Sequence, residues 1–286
     1  MTLPARIAFQ GELGAFSEEA IRNLDAHATA VPCREFIDVA QAVESGDADA
    51  GMLPIENTLA GSVVGSYDAL TSCESLHVTA ETVVEIHHCV LAPRGASLDA
   101  LATVESHPVA LAQCTRWLRA RPSITARAAY DTAGAARDIA ERRDPRAAAI
   151  AGRGAAARYD LDILAANIED RSDNQTRFLM IARAPRALDR GVAARTALLI
   201  TTPNVPGALL RVLEPLAANG INMSKLESRP AEEPWHYRFF LELDHPAADP
   251  SLDAALDQLR GATESLRVLG TYSRWLAGRA SVGATD

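Results

Sequence analysis

The stretch AGMLPIENTLAGSVVGSYDAL, residues 50–70, contains a short apolar strand, a polar junction and the start of a helix in direct succession. The apolar segment MLPI precedes Glu56 and Asn57, and apolar residues then recur at helical spacing. The same order of strand, junction and helix recurs from Arg6 to about Ala182. Such alternation predicts βαβ units and parallel sheets covered by helices, an α/β fold.

Polar residues collect at five of these junctions between a strand and a helix. They are Gly11 to Ser17, Glu56 to Thr58, Ser106 with His107, Asp131 with Thr132, and Ser172 to Arg177. In open α/β sheets a ligand binds beyond the carboxyl ends of the strands. The five junctions therefore predict one shared cleft for a small molecule.

Most of these junctions also have a purely structural interpretation. Glu56 favours a helix N-terminus electrostatically, Ser106 is a plausible N-cap, and either Asp131 or Thr132 can cap the helix that follows. The stretch SDNQTRFLMIA, residues 172–182, is different because a cap does not require arginine. The guanidinium of Arg177 matches a carboxylate in a way that lysine cannot.

The segment from Ala182 to Arg195 is rich in arginine, alanine and proline, which predicts a linker. A second unit follows, with the order strand, helix, strand, strand, helix, strand. This βαββαβ order is typical of α+β ferredoxin-like sheets. The tail from Gly278 is small and polar, which predicts disorder.

Composition excludes several classes of function. The net charge is -9 and there is no run of lysine and arginine, so we expect no nucleic-acid partner. No apolar run is long enough to span a membrane and the N-terminus lacks a secretory signal, so a cytoplasmic location is predicted. Four cysteines without a C-x-x-C pair predict reduced, mostly buried thiols. The adjacent His87 and His88 face opposite ways in a strand, so we expect no metal site.

Four motifs occur in an order that resembles the prephenate dehydratase family. They are FQGELGAFSEEA, PIENTLAGSVVGSYDAL, ESHPVALAQC and IEDRSDNQTRF, residues 9–20, 54–70, 105–114 and 168–178. The segment NVPGALLRVLEPLAANGINMSKLESRP, residues 204–230, is similar to the regulatory ACT domain of the same enzymes. The resemblance covers nearly the whole chain.

This resemblance implies a catalytic unit of two α/β lobes, like those of periplasmic binding proteins, with a cleft between them. The expected bounds are 1–184 for that unit, 185–194 for the linker, 195–277 for the ACT domain and 278–286 for a disordered tail. The implied reaction converts prephenate to phenylpyruvate, water and carbon dioxide without a cofactor. No chorismate mutase segment precedes the first strand, so the chain is expected to be monofunctional.

The resemblance also implies individual residue roles. The catalytic residues are Thr176, Glu56, Ser106 and Gln113, and the substrate-binding residues are Arg177, Asn57, Asn174, Phe178 and Thr132. We expect Thr176 to donate a hydrogen bond to the leaving hydroxyl, with a protonated Glu56 as a possible proton source. Arg177 is expected to hold the pyruvyl carboxylate, which survives into the product.

The sequence departs from the family pattern at two positions and leaves some questions open. Ala15 stands where many members carry Thr or Ser, and Asp131 stands where Ser is common. Arogenate dehydratase and a non-catalytic amino-acid sensor remain alternatives. A homodimer or homotetramer is expected because ACT sheets commonly pair by their edges. The effector L-phenylalanine is expected to bind at Gly207, Ala208, Leu209, Glu227 and Ser228.

Overall fold

The computed structural model describes residues 6–231 and 233–276. The predicted tail 278–286 lies outside these residues. The chain divides into two compact units. Among the described residues, the first contains 6–74 and Thr82–Leu179, and the second contains Ser75–Glu81, 180–231 and 233–276.

A sheet with the strand order β2-β1-β3-β11-β5, and with β4 paired to β3, belongs to the first unit apart from residues 77–81 of β5 and 180–182 of β11. Its strands are β1 (Arg6–Gln10), β2 (Thr29–Cys33), β3 (Ala50–Asn57), β4 (Gly61–Ser62), β5 (His77–Glu85) and β11 (Gln175–Ala182). Its helices are α1 (Phe16–Leu24), α2 (Phe36–Ser45) and α3 (Val64–Ser72). Ile7, Ala8 and Phe9 are successive residues of β1 and all are fully buried. Both faces of β1 are therefore covered, as expected for a parallel strand inside a layered α/β fold.

A second sheet of the same unit has the strand order β10-β6-β9-β7-β8. Its strands are β6 (Cys89–Pro93), β7 (Thr103–Ser106), β8 (Thr125–Ala128), β9 (Ala147–Ala151) and β10 (Leu161–Ala165). Its helices are α4 (Pro108–Ala112), α5 (Thr115–Arg119), α6 (Thr132–Arg142) and α7 (Arg153–Tyr159), with a short 3-10 turn at Leu98–Ala100. Ala149 packs into one apolar cluster and Ile150 into another, so β9 is buried on both faces.

The prediction of parallel sheets is correct for only part of each sheet. β1 pairs in parallel with β2 and β3, and β7 pairs in parallel with β8 and β9. β6, however, is antiparallel to both β9 and β10.

The second unit has the predicted βαββαβ order. Its elements are β12 (Ala193–Thr201), α8 (Ala208–Ala218), β13 (Asn222–Pro230), β14 (Tyr237–Pro246), α9 (Pro250–Ala262) and β15 (Ser265–Ser273). The sheet order is β13-β14-β12-β15, and all the pairings are antiparallel. Leu198, Val212, Leu241 and Leu256 belong to the apolar core that joins the two helices to one face of this sheet.

A cluster of charged side chains belongs to the same unit. The guanidinium of Arg195 lies 2.7 Å from Asp244 Oδ1, 3.1 Å from Glu81 Oε2 and 3.6 Å from Glu242 Oε2. Arg274 pairs with Asp244 at 2.9 Å. These contacts lower the pKa of the Asp244 carboxyl despite its partial burial. The cluster fixes the short segment Ser75–Glu81 to β12 and β14.

The thiols agree with the sequence-based expectation. Cys33, Cys73, Cys89 and Cys114 are all free, and all but Cys33 are buried. Within the described part of the chain, no helix combines the length and apolar character needed to cross a membrane.

Candidate active site

A cavity of about 480 Å³ lies in the first unit and receives residues from all five predicted junctions. Its lining includes Ser17, Asn57, His107, Thr132 and Thr176, one from each junction. The volume lies within the range of ordinary small-molecule sites. The junctions therefore meet at one place, although the chemical roles predicted for their residues remain predictions.

Asn57, the last residue of β3, fixes the hydrogen bonds on one side of the cavity. Its Oδ1 accepts from the backbone N–H groups of Leu59 and Ala60 at 2.9 and 2.8 Å. Because that oxygen must be an acceptor, the other end of the amide is the donor. Asn57 Nδ2 donates to Thr176 Oγ1 at 2.9 Å and to Asn174 Oδ1 at 2.8 Å. The Thr176 hydroxyl thus accepts from Asn57 and keeps its own proton for another partner.

Three more side chains extend the network, and the direction of donation reverses at Gln113, whose Oε1 accepts from both sides. Asn174 Nδ2 donates to Gln113 Oε1 at 3.0 Å. The same oxygen lies 2.9 Å from His88 Nε2, so this ring nitrogen must carry a proton. His88 Nδ1 is buried and has no hydrogen-bond partner among the described residues. Burial lowers the pKa of His88, and we infer a neutral ring protonated at Nε2.

Alternation along β11 separates two predicted site residues. Thr176 and Phe178 both line the cavity, whereas Arg177 lies between them in the strand and does not. Successive side chains of a strand face opposite sides of the sheet. The Arg177 guanidinium instead lies 3.5 Å from Glu56 Oε2. Glu56 does not line the cavity either, so the structure brings neither residue to the place predicted for it.

Ser106 and Glu56 do not occupy the capping positions that the sequence suggested. Ser106 is fully buried, and its hydroxyl donates to the Ile150 carbonyl at 2.5 Å. His107 caps α4 instead, with its side chain accepting from the Val109 N–H. Ser106 is therefore held in a structural hydrogen bond outside the cavity lining. Glu56 and Asn57 belong to β3, and α3 begins only at Val64.

Asp131 is the N-cap of α6, one of the two caps considered from the sequence. Its Oδ1 accepts from the Gly134 N–H at 2.7 Å, and Thr132 is the first residue of the helix. Asp131 also lines the cavity, and burial is the main cause that raises the pKa of its carboxyl. An ideal Cβ built on Gly11 would lie 3.2 Å from Asp131 Oδ2. The opening glycine turn therefore approaches this carboxylate closely.

Sequence reasoning missed His88 and the apolar part of the lining. Phe16, Phe36 and Ile86 line the cavity, and Phe16 packs edge-on against the His88 ring at 5.9 Å between centroids. His88 follows the end of β5 by three residues, so its position at a strand end was a usable signal. The apolar residues had no comparable signal, because an apolar side chain beside a strand also suits the core.

A smaller cavity of about 180 Å³ lies in the second unit at the start of α8. Ala208 and Leu209 line it, together with Asn204, His236 and Tyr237. The other predicted effector residues do not line this cavity: Gly207, Glu227 and Ser228. Gly207 is the N-cap of α8 and has a φ of 78°, a left-handed conformation that favours glycine. Gly207 therefore lets the backbone turn into the first residue of α8.

Comparison with known proteins agrees with this architecture. Residues 7–186 match the family model of prephenate dehydratase, and residues 196–261 match that of the ACT domain. A chloroplastic arogenate dehydratase/prephenate dehydratase 2 of Arabidopsis thaliana is 38% identical over 277 residues, which cover 93% of this chain and 72% of that protein.

Two solved structures are similar to this chain over nearly its whole length. A prephenate dehydratase from Arthrobacter aurescens in complex with L-Phe has a TM-score of 0.87 and 32% identity, covering 94% of this chain and 90% of that one. GqqA, described as a novel type of quorum quenching acylase, has a TM-score of 0.88 and 34% identity, covering 96% of this chain and all of that one. The chain belongs to the prephenate dehydratase family, which makes it an enzyme of the dehydratase type, and its C-terminal unit contains an ACT domain.

Proposed function

We propose that this chain converts prephenate to phenylpyruvate, water and carbon dioxide in phenylalanine biosynthesis. The observation that carries the proposal is the Thr176 hydroxyl, which lies in the cavity and accepts from Asn57 Nδ2. This contact leaves the Thr176 proton available to the ring hydroxyl of prephenate. The predicted division of the chain, with catalysis in 1–184 and regulation in 195–277 after the linker 185–194, is part of the proposal.

The reaction requires help for a poor leaving group. The ring hydroxyl departs as water once it has accepted a proton, while the bond to the ring carboxylate breaks and its electron pair makes the ring aromatic. A hydrogen bond from Thr176 stabilises the charge that develops on the departing oxygen. Threonine is too weak an acid to ionise, so a solvent proton must complete the water molecule.

The apolar part of the lining suits the loss of carbon dioxide. Phe178, Ile86 and Phe36 contribute apolar surface to the cavity. A carboxylate in such surroundings is poorly solvated, and its charge disperses into the ring as carbon dioxide leaves. Apolar walls therefore favour the neutral product over the charged ground state.

The surviving carboxylate needs a different partner from the one predicted. Arg177 is left out of this role because its guanidinium lies against Glu56 and outside the lining. The N-terminus of α1 is the better candidate, since its N-cap Ala15 offers no side-chain acceptor. Phe16 and Ser17 line the cavity at this point, so the first N–H groups of α1 are available to a carboxylate.

The similarity to GqqA raises acyl hydrolysis as a second activity. An acylase of the serine or threonine type needs a hydroxyl hydrogen-bonded to a base. Thr176 accepts from an amide instead, which suits donation to a leaving group rather than nucleophilic attack. The geometry therefore favours dehydration.

We further propose that L-phenylalanine inhibits the enzyme from the cavity of the second unit. The solved Arthrobacter aurescens structure contains L-Phe, and the predicted effector residues Ala208 and Leu209 line the cavity of this chain. Pairing of two chains through an edge strand of the sheet in this second unit would give the expected homodimer or homotetramer. Light scattering during size exclusion tests that assembly, and fractionation of the producing cell tests the expected cytoplasmic location.

The test of the catalytic proposal is direct. Purified protein is incubated with prephenate, and phenylpyruvate is followed by its ultraviolet absorbance. Product formation at a rate proportional to the enzyme concentration supports the proposal. Binding of prephenate without turnover would instead support the alternative of a non-catalytic sensor.

A further inference from the structure

One ring nitrogen of His88 has no hydrogen-bond partner, although His88 lines the active-site cavity and is only 2% exposed. This nitrogen is Nδ1, which is itself buried and has no partner among the described residues. Buried polar atoms are normally hydrogen-bonded, so an exception needs an explanation. Because His88 lines the cavity, a bound ligand is the natural source of the partner.

The hydrogen-bond network determines which state of the His88 ring meets that ligand. Asn57 Nδ2 donates to Asn174 Oδ1, so the Nδ2 of Asn174 faces Gln113 and donates to its Oε1. That oxygen can only accept, and it therefore also accepts from His88 Nε2. Nε2 thus carries a proton in both the neutral and the charged ring. Nδ1 is the position at which this ring gains or loses a proton.

The lining offers few groups that can become positively charged. Among the described residues that line the cavity there is no lysine or arginine, and the basic side chains are His88 and His107. The Nδ1 of His107 is already engaged, because it accepts from the Val109 N–H at the start of α4. Prephenate brings two carboxylates, and a nearby opposite charge favours the protonated form of an imidazole. His88 is therefore placed to take up a proton when the substrate binds.

We propose that His88 is the general acid that completes the departing water molecule. This inference rests on the proposed function, in which Thr176 donates a hydrogen bond to the same ring hydroxyl. The oxygen of that hydroxyl has two lone pairs, so it can accept from Thr176 Oγ1 and from protonated His88 Nδ1 together. His88 is then a catalytic residue that lies outside the four sequence motifs.

Proton transfer from His88 Nδ1 supplies the one proton that the reaction consumes. The proton passes to the ring hydroxyl as the bond between the ring carbon and that oxygen breaks, and water leaves. The bond to the ring carboxylate breaks as well, its electron pair makes the ring aromatic, and carbon dioxide leaves. The prephenate dianion thus becomes the phenylpyruvate monoanion. His88 is left neutral and takes its next proton from solvent.

The surroundings of His88 determine the direction of the pH dependence. Burial is the largest cause that lowers the pKa of His88, and the charge of His87 also lowers it, whereas the bond to Gln113 and the charge of Glu169 raise it. The carboxylates of bound prephenate raise it further. An acid must be protonated to act, so kcat should be high below the pKa of His88 in the complex and fall as the pH rises through it. The other titratable side chains of the lining are Asp131, His107 and Tyr130.

The experiment measures kcat for prephenate from about pH 5 to about pH 9 in the wild type and three variants. Gln113→Glu keeps the acceptor for Asn174 and adds a negative charge at the oxygen that lies 2.9 Å from His88 Nε2. Gln10→Glu is the matched control, since Gln10 lines the same cavity but its amide contacts the Arg34 carbonyl instead of His88. His88→Gln keeps an N–H group for Gln113 but cannot titrate.

We expect the wild-type kcat to fall as the pH rises. Gln113→Glu should move that fall to higher pH by about 1 unit or more, because a carboxylate beside the ring favours its charged form, and Gln10→Glu should move it less. His88→Gln should lower kcat by about 100-fold or more and remove the fall. Circular dichroism at each pH confines the comparison to folded protein.

Three results would overturn the inference and leave the proposed function intact. They are a wild-type kcat that does not fall with pH, a fall that Gln113→Glu moves no further than Gln10→Glu does, and a fall that persists in His88→Gln. If His88→Gln does not fold, the comparison of the two glutamate variants still decides the matter. No phenylpyruvate from the wild type at any pH would refute the proposed function itself.

Discussion

Asn57 decides which way the hydrogen bonds of the active-site cavity run. Its Oδ1 is held by two backbone N–H groups, so its Nδ2 must donate to Thr176 and Asn174. Every assignment further along the network depends on this amide, including the proton on His88 Nε2. An amide is needed here because a carboxylate of the same shape has no proton to give.

Asn57→Asp is therefore expected to lower kcat by about 10- to 100-fold with a smaller change in KM. The aspartate still accepts from the N–H groups of Leu59 and Ala60. Its second oxygen, however, accepts a hydrogen bond from the Thr176 hydroxyl, whereas Asn57 Nδ2 donates one to that hydroxyl. Steady-state kinetics with prephenate measure the effect. Unchanged kcat would mean that the donor to Thr176 has no part in turnover.

The sequence placed both Thr176 and Arg177 at the substrate, but only Thr176 lines the cavity. Their neighbourhood in one motif suggested that both face the substrate. Adjacent residues in a strand face opposite sides, so only one parity can line the cavity. The structure has Thr176 and Phe178 on that side. The alternation of side chains could be predicted from the sequence. Which set of alternate residues faces the cavity depends on the elements that pack on each face of the sheet, and no local pattern shows this.

At the scale of elements, α8 presents two adjacent leucines in different surroundings. Leu209 lines the cavity of the second unit, whereas Leu210 is 59% exposed and does not. The sequence pointed to Gly207 for the same site, but its positive φ means that a β-branched residue there would strain the backbone. A substitution at Gly207 would therefore not distinguish weaker binding of the effector from a distorted start of α8.

Leu209→Ala is expected to weaken binding of L-phenylalanine by about 10-fold, because a buried leucine side chain contributes roughly 1.5–3 kcal/mol and Leu209 is only partly covered before binding. Leu210→Ala is the matched control and should retain wild-type affinity. Calorimetry with the amino acid measures both. Equal affinities for the two variants would place the effector outside this cavity.

The charged cluster of the second unit provides a separate test of stability. Arg195 is 14% exposed and contacts Glu81, Glu242 and Asp244, so its loss leaves three carboxylates without that cation. Arg195→Met should lower the free energy of unfolding by about 3–5 kcal/mol in urea. Arg260→Met removes an exposed pair with Asp257 and should cost less than about 1 kcal/mol. Similar losses for the two variants would contradict this account of the cluster.

At the scale of the whole molecule, the sequence predicted two units but not how the chain is divided between them. The linker 185–194 remains a prediction from composition, whereas the βαββαβ order followed from local patterns and is present in the second unit. Ser75–Glu81 belongs to the second unit although it precedes that unit by about a hundred residues. Its placement depends on long-range contacts such as Glu81 with Arg195, which no local pattern reveals.

The central claim is that the Thr176 hydroxyl drives the loss of water from prephenate, and product analysis of Thr176→Val tests it most directly. Valine has nearly the same shape but no hydroxyl, and Thr176→Ser restores the donor. We expect equal amounts of phenylpyruvate and carbon dioxide from the wild type, a kcat lower by about 100- to 1000-fold in Thr176→Val, and substantial recovery in Thr176→Ser. Wild-type turnover by Thr176→Val, or no phenylpyruvate from the wild type, would contradict the account.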